Sequence, residues 1–112
     1  MEEGLPLKPV EVSTKFRSSL TRIYDYTLNV FGYFQAERYL QMIEQAVDTL
    51  STYYTAYPEC RHITTKNRIY RNIILDSHLI IYRITDKRIE VLDIIHSSSS
   101  IRKIRVARNI RL

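Results

Sequence analysis

The spacing of apolar residues changes once along this chain, and that change constrains the fold more than any other feature. Between residues 16 and 57, apolar residues recur at steps of three and four, the period of an amphipathic helix. Between residues 67 and 96 they recur at steps of two, the period of a strand with one buried face. In a chain of 112 residues, helices followed by strands predict a single α+β domain over residues 1–112.

The first half is predicted to contain one short strand and two helices. VEVSTKF, residues 10–16, alternates as a strand does, and a helix follows it through Phe31, where Gly32 is placed to end the helix. A second helix is predicted over residues 34–57, and Pro58 ends it because proline cannot continue a helix. Consecutive amphipathic helices joined at a glycine should pack as an antiparallel helical hairpin.

The second half is predicted to form three strands and a basic C-terminal segment. NRIYRNIIL (67–75), HLIIYRI (78–84) and RIEVLDIIH (88–96) are joined by the short polar turns DS and TDKR, so they should form an antiparallel meander. The remaining residues, 97–112, are predicted to be either a helix capped by Ser100 or a basic tail.

Alternation sorts the side chains of this meander into two faces. The sorting assumes that Leu75 pairs with His78 and that Ile84 pairs with Ile89. One face is mostly apolar and is predicted to lie on the helical hairpin. Polar groups are about twice as frequent on the other face, which is predicted to look outward. The outward face would include Arg68, Tyr70, Arg83, Glu90 and His96.

Three residues of the outward face are candidates for catalysis. Arginine binds phosphate through a planar set of donors, histidine titrates near neutral pH, and tyrosine can stack on a base or donate a proton. In ribonuclease chemistry, Arg83, Tyr70 and His96 would hold the scissile phosphate and protonate the leaving oxygen. The structural alternative is that Arg83 forms a cross-strand ion pair with Glu90 and that His96 only ends a strand. The sequence leaves both interpretations open.

Charge is divided unevenly along the chain. Residues 1–60 contain 5 Lys and Arg against 8 Asp and Glu, a net charge of −3, whereas residues 61–112 contain 12 against 4, a net charge of +8. A basic half predicts an acidic partner, either nucleic acid or an acidic protein segment. The segment RHITTKNRIYRN could bind phosphates, or its charge could simply protect a strand edge. Its candidate phosphate-binding residues are Arg61, Lys66, Arg68 and Arg71.

Other classes of protein are disfavoured. No apolar run approaches the roughly 20 residues that span a bilayer, and the first 30 residues lack a signal-peptide stretch, so a cytoplasmic protein is expected. The single cysteine, Cys60, cannot form an internal disulfide, and no metal-ligand spacing is present. With two glycines there is no phosphate-cradling loop, and neither a metal nor a cofactor is expected.

Two segments and the order of elements resemble the RelE/ParE superfamily of toxins from bacterial type II toxin–antitoxin systems. AERYLQMIEQAVDTLSTYYTAYPE is similar to the second helix of that superfamily with its closing aromatic-Pro-Glu. HLIIYRITDKRIEVLDIIHSSSSI is similar to its terminal hairpin, and from Ala36 onward the resemblance covers about two-thirds of the chain. It implies a growth-inhibiting toxin that an acidic antitoxin neutralises.

The resemblance is closer to the ParE-like branch than to the RelE-like branch. RelE-like members cleave mRNA on the ribosome, whereas ParE-like members poison DNA gyrase. The nuclease branch has a basic residue where this chain has Leu79, and both branches can carry a histidine at the position of His96. The resemblance therefore implies action on gyrase. A ribosome-dependent mRNA endoribonuclease and a degenerate, non-toxic binding module are the alternatives.

Overall fold

The computed structural model describes residues 5–112 as an α+β fold, which confirms the predicted class. Residues 1–4 of the predicted domain lie outside the described residues. A layer of two helices covers one face of a four-stranded sheet, and a short C-terminal helix covers the other face. The elements are β1 (Val10–Val12), α1 (Thr14–Phe31), α2 (Tyr33–Asp48), α3 (Leu50–Tyr53), β2 (Tyr70–Ile74), β3 (His78–Ile84), β4 (Ile89–His96), α4 (Ile101–Arg105) and a 3₁₀ turn (Val106–Asn109).

The strands are ordered β1-β4-β3-β2 across the sheet. The last three form the predicted antiparallel meander, while β1 pairs in parallel with β4. The first strand is shorter than predicted because Ser13 begins α1: its hydroxyl accepts from the Phe16 amide at 2.8 Å. The same hydroxyl donates to the Leu92 carbonyl of β4 at 2.5 Å, so the start of the helix is joined to the sheet.

The predicted helical hairpin is present, with one break that the sequence did not indicate. Gly32 ends α1 in a conformation with φ of 90°, which glycine adopts readily. The second helix was predicted to run unbroken to residue 57, but α2 ends at Asp48 and α3 follows it. At the break, the Thr49 hydroxyl donates to the Ala46 carbonyl at 2.7 Å, and such bonds compete with the regular helical pattern.

The helices and the sheet share one core, which confirms that the apolar sheet face lies on the hairpin. Tyr82 is fully buried at its centre, and its hydroxyl donates to the Tyr54 carbonyl at 2.7 Å. Burial of large apolar side chains is the main favourable term in folding, so this core fixes the position of the helices on the sheet. Its buried members are Phe16, Ile43, Leu50, Tyr54, Ile73, Ile80, Tyr82, Ile89, Val91 and Ile94.

A β-bulge in β4 makes part of the predicted face assignment wrong. Pairing runs regularly from Ile84–Ile89 to Tyr82–Val91, but Ile81 then faces Asp93, which leaves Leu92 as an extra residue. Beyond this point the alternation is reversed. Ile94 packs in the core under the helices, whereas it was predicted to look outward; Ile95 packs on the opposite face, whereas it was predicted to face the helices.

A buried hydrogen-bonded carboxylate stabilises this bulge. Asp93 Oδ1 accepts from the Ser19 hydroxyl of α1 at 2.6 Å and from the Ile94 amide at 2.8 Å. Burial of a carboxylate is costly unless such bonds compensate it, so the Asp93 side chain is held on the helix side of the sheet. Two consecutive residues, Asp93 and Ile94, therefore face the helices, and the strand loses its simple alternation.

The face that was predicted to look outward is buried under the C-terminal segment. Ser100 caps α4 as predicted, accepting from the Lys103 amide at 3.2 Å. Because α4 and the 3₁₀ turn then lie across the sheet, the outer face is a second core and not an open surface. Its buried members are Cys60, Ile63, Ile81, Leu92, Ile95, Ile104 and Ala107.

Candidate functional site

Arg83 and Tyr70 do lie together on the outer face, as predicted, but they hold the C-terminal segment. Arg83 Nε donates to Glu90 Oε1 at 2.8 Å, which confirms the cross-strand pair. Its guanidinium lies 5.7 Å from the centre of the Tyr70 ring. It also donates to the carbonyls of Arg108 at 3.3 Å and of Ile110 at 3.0 Å. These last contacts fasten the 3₁₀ turn to β3.

The guanidinium nitrogens of Arg83 are all directed at groups of the protein itself. Nη1 meets the Tyr70 hydroxyl and the Arg108 carbonyl, Nη2 meets Ile110 and the Glu90 carboxylate at 2.7 Å, and Nε meets Glu90. Four hydrogen bonds and one ion-pair contact thus engage all three nitrogens of the guanidinium. The Arg83 side chain is 16% exposed and that of Glu90 is 10% exposed.

The ion pair stays charged despite its burial. Burial acts to lower the pKa of Arg83, but the hydrogen bonds to Tyr70 and Glu90 outweigh it and raise that pKa. Burial acts to raise the pKa of Glu90, and the hydrogen bonds from Arg83 and Arg88 outweigh it and lower that pKa. Both effects come from charge-assisted hydrogen bonds, which are the strongest kind in proteins.

His96 lies on the other face of the sheet. Because of the bulge it pairs with His78 across β3 and β4, on the helix side, and the two ring centres are 5.3 Å apart. The His78 Nδ1 atom is 2.7 Å from the hydroxyl of Tyr39 on α2. The prediction that His96 faces outward with Arg83 and Tyr70 is therefore wrong, and the three candidate catalytic residues do not form one site. Their catalytic roles stay predictions.

The four candidate phosphate-binding residues differ in what they already contact. Arg71 Nη1 donates to the carbonyls of Thr55 at 2.8 Å and Tyr57 at 3.0 Å, so this side chain is engaged in holding the loop that follows α3. Arg68 has a φ of 55° and lies 3.6 Å from a Glu59 carboxylate oxygen. The other two, Arg61 and Lys66, are exposed, and neither forms an ion pair within residues 5–112.

A cavity that the sequence reasoning missed lies beside the two histidines. It has a volume of about 680 Å³ and lies between α1, the start of α2 and the ends of β3 and β4. We refer to it as the histidine cavity, after His78 and His96. Its α1 wall consists of Lys15, Ser19, Arg22, Ile23, Tyr26, Thr27 and Phe31, at steps that place them on one side of the helix. The polar residues of this wall recur at helical spacing beside the apolar stripe of α1. That pattern was the signal in the sequence that could have indicated a cavity here.

Three polar side chains of the histidine cavity, Tyr39, His78 and His96, are hydrogen-bonded. His96 Nδ1 accepts from the Ser98 amide at 3.1 Å. Burial, and secondly the charge of His96, lower the pKa of His78, so His78 is neutral at neutral pH. Burial also raises the pKa of Tyr39, so its hydroxyl keeps its proton. The cavity thus presents a neutral His78 next to a His96 ring that is held by the Ser98 amide.

Exposed apolar residues form a second feature at the turn between α1 and α2. Phe34 is 83% exposed and contacts Tyr33 edge to face, with ring centres 5.7 Å apart. Tyr26 and Phe31, each 64% exposed, join this turn to the histidine cavity. Large aromatic side chains in such numbers on a surface are typical of interaction sites.

A third feature is a basic hollow on the outer surface of α4 and the 3₁₀ turn. Its volume is about 560 Å³, and apolar Ile101 and Val106 lie in it, 48% and 51% exposed. Arg105 Nε donates to the His62 carbonyl at 3.2 Å, whereas Arg102 and Arg108 form no ion pair among the described residues. The residues lining this basic hollow are Ile101, Arg102, Arg105, Val106, Arg108 and Asn109.

Two absences concern only residues 5–112. In that range no group of three or more His, Cys, Asp and Glu side chains is arranged to hold a metal ion. None of the helices in the same range is both long enough and apolar enough to cross a bilayer.

A family model matches the chain, and a solved structure shares its fold. The model of the family described as "ParE toxin of type II toxin-antitoxin system, parDE" matches residues 10–101. Among solved structures, a chain of a chromosomal ParDE TA system from P. aeruginosa is similar, with a TM-score of 0.67 and 21% identity. The match covers 80% of this chain and 96% of that chain. None of the curated proteins matches the chain.

Proposed function

Because the chain belongs to the ParE toxin family, we propose that it is the toxin of a type II toxin–antitoxin system and arrests growth by binding DNA gyrase. The observation that carries this proposal over mRNA cleavage is the separation of His96 from Arg83 and Tyr70. A nuclease site of the predicted kind needs these groups around one phosphate. The guanidinium of Arg83 instead binds groups of the protein itself. Inhibition of gyrase by binding does not require a catalytic site of this kind.

The neutralising partner is an acidic antitoxin segment that lies on the basic hollow. This surface combines Arg102 and Arg108 with exposed Ile101 and Val106. An amphipathic segment with carboxylates would match both its charge and its apolar patch. The charge of +8 on residues 61–112 favours the same kind of partner and should speed the encounter.

The target is tested by inducing the chain alone and following plasmid supercoiling and mRNA integrity together. We expect growth arrest, altered supercoiling and intact mRNA, and we expect the purified protein to inhibit gyrase. H96Q should stay toxic, because no catalytic step depends on that ring. Cleaved mRNA that H96Q protects would instead establish the endoribonuclease alternative. Unaffected growth with normal supercoiling would leave only the non-toxic binding module.

Exposed Arg61 and Lys66 are the observation that still favours the nuclease alternative, since both could contact RNA phosphates. If the protein acts on the ribosome, a double change of Arg61 and Lys66 to Ala should relieve the growth arrest and protect mRNA. Under the gyrase proposal, mRNA is intact both with and without these changes.

The antitoxin surface is tested by charge reversal. The gene next to this one should encode a small protein with an acidic half, and its coexpression should restore growth. The double variant R102E/R108E should lose at least about tenfold in affinity for that protein, because two attractions become repulsions. The matched control is R17E, which changes an exposed arginine of α1. Equal loss of affinity in both variants would contradict this location of the antitoxin.

A further inference from the structure

The histidine cavity is not used by the proposed function, and its charge is arranged asymmetrically. Lys15 and Arg22 reach it from α1, and Lys103 reaches it from α4. Within the described part of the chain none of these three forms an ion pair. Lysine and arginine side chains that converge on a cavity without carboxylate partners favour an anionic ligand.

The acidic residues of the cavity offset this charge only in part. Asp93 is 5% exposed, and its Oδ1 is bonded to Ser19 and to the Ile94 amide. Asp76 lies in the turn between β2 and β3 and is exposed. Three cations therefore surround the opening, while one of the two carboxylates is turned into the fold.

The His96 ring has its hydrogen-bond donor on Nε2, while His78 is hydrogen-bonded to Tyr39. Because the Ser98 amide donates to His96 Nδ1, the neutral ring carries its proton on Nε2. The Tyr39 hydroxyl lies 2.7 Å from His78 Nδ1, so the two side chains are joined by a hydrogen bond in which either can donate. A metal-bound imidazole instead donates through its second nitrogen. An anion that accepts hydrogen bonds fits this arrangement.

The opposite end of the cavity is aromatic. Along α1 the lining residues run from Lys15 to Phe31, a distance of about 24 Å at 1.5 Å per residue. The basic residues come first, and Tyr26 and Phe31 come last, each 64% exposed. Exposed aromatic rings provide flat surfaces on which a nucleobase can stack. The cavity therefore offers a basic part and a stacking part next to each other.

We propose that the histidine cavity binds a nucleoside phosphate, either free or at the end of a single strand. The phosphate lies among Arg22, Lys103 and the two histidines, and the base stacks on Tyr26. This site lies on the helix face of the sheet, apart from Arg83 and Tyr70. It does not rest on the gyrase or antitoxin proposals, and no reaction is assigned to it.

Titration of the purified full chain tests the proposal by calorimetry and by NMR of the backbone and histidine nitrogens. The probes are adenosine 5′-monophosphate, adenosine, inorganic phosphate and a 5′-phosphorylated single-stranded tetranucleotide. We expect the monophosphate to bind more tightly than adenosine or phosphate alone, and binding to weaken as salt rises. Tetranucleotide binding without monophosphate binding would identify a strand end as the source. Binding of neither, or equal binding of adenosine and the monophosphate, would overturn the proposal.

Matched variants locate the ligand. R22M and K103M should each weaken monophosphate binding about tenfold, because each removes a charged donor. K87M is their control, since Lys87 lies in the turn at the other end of β3 and β4. Y26A should weaken binding at least about fivefold. Y33A, which changes an exposed tyrosine outside the cavity, should not.

All five variants alter exposed side chains, so folding should be retained, and the NMR spectra of the free proteins check this. Equal affinities in R22M, K103M and K87M would exclude the phosphate position. Equal affinities in Y26A and Y33A would exclude stacking.

Discussion

The two faces of the sheet are both buried, but they are covered by different means. On the helix face, two long helices supply most of the core, and apolar contacts dominate. On the outer face, a short segment after Ser100 supplies two buried side chains, Ile104 and Ala107, and is fastened by the polar contacts of Arg83. A thin cover needs directional anchors because its apolar area is small. Arg83 and Tyr70 resemble part of a catalytic group in the sequence, but in the structure Arg83 holds the C-terminal segment on the sheet.

The largest expected effect comes from the polar anchor of the outer cover, the buried ion pair of Arg83 with Glu90. E90A leaves Arg83 without its buried carboxylate partner and also removes a contact of Arg88, so it should lower the free energy of unfolding by about 3 kcal/mol. E11A is the control, because Glu11 pairs with Arg88 from a side chain that is 55% exposed; it should cost less than about 1 kcal/mol. Urea unfolding measures both. Similar losses in the two variants would show that the Arg83 anchor adds little.

A smaller effect should come from the apolar part of the same cover. Ile104 is 2% exposed, and I104A should cost about 2 kcal/mol, since the segment can detach locally and thereby limit the loss. Ile101, in the same helix but 48% exposed, gives the matched control I101A, with an expected loss of less than about 0.5 kcal/mol. Hydrogen exchange of residues 104–110 would show whether the loss is local. Uniform loss of protection through β3 would contradict a thin, separable cover.

The predictable part of the fold is the part that depends on local pattern. β3 was predicted as residues 78–84 and runs over His78–Ile84, because two polar turns and strict alternation define it. The hairpin, the Gly32 turn and the Ser100 cap follow from similarly short signals. Pairs across such turns, including Arg83 with Glu90, were also predicted.

The unpredicted part depends on contacts between distant residues. The bulge is stabilised by Ser19 and Asp93, which are 74 residues apart, and no local rule places an extra residue at Leu92. A shift of one residue moves every later side chain to the other face. His96 was therefore assigned to the wrong face, and the histidine cavity was not anticipated. Likewise, nothing local indicates that a strongly basic segment covers a sheet.

The two faces should also respond to acid in separate ranges of pH. His78 has a lowered pKa when folded, so its contribution is present above the unfolded value of about 6.5 and is lost as the pH falls through the folded pKa. Glu90 also has a lowered pKa, and its contribution is lost only as the pH falls below about 4.3. H78Q should flatten the stability curve between pH 7 and the onset of acid unfolding, and E90Q should flatten the acidic limb. If H78Q does not change the stability curve near neutral pH and E90Q does not change its acidic limb, then these two side chains do not cause the pH dependence.

The smallest expected effect compares the two serine caps, one on each side of the sheet. Ser100 caps only the five residues of α4, so S100A should cost about 0.5 to 1 kcal/mol of local stability. Hydrogen exchange of the Lys103 and Ile104 amides should then accelerate severalfold, while global unfolding in urea is unchanged. S99A is the control, because no hydrogen bond of the Ser99 hydroxyl is present among the described residues. S13A should instead lower global stability, since the buried Ser13 hydroxyl also bonds to β4. A global loss in S100A would mean that the outer cover unfolds together with the rest of the chain.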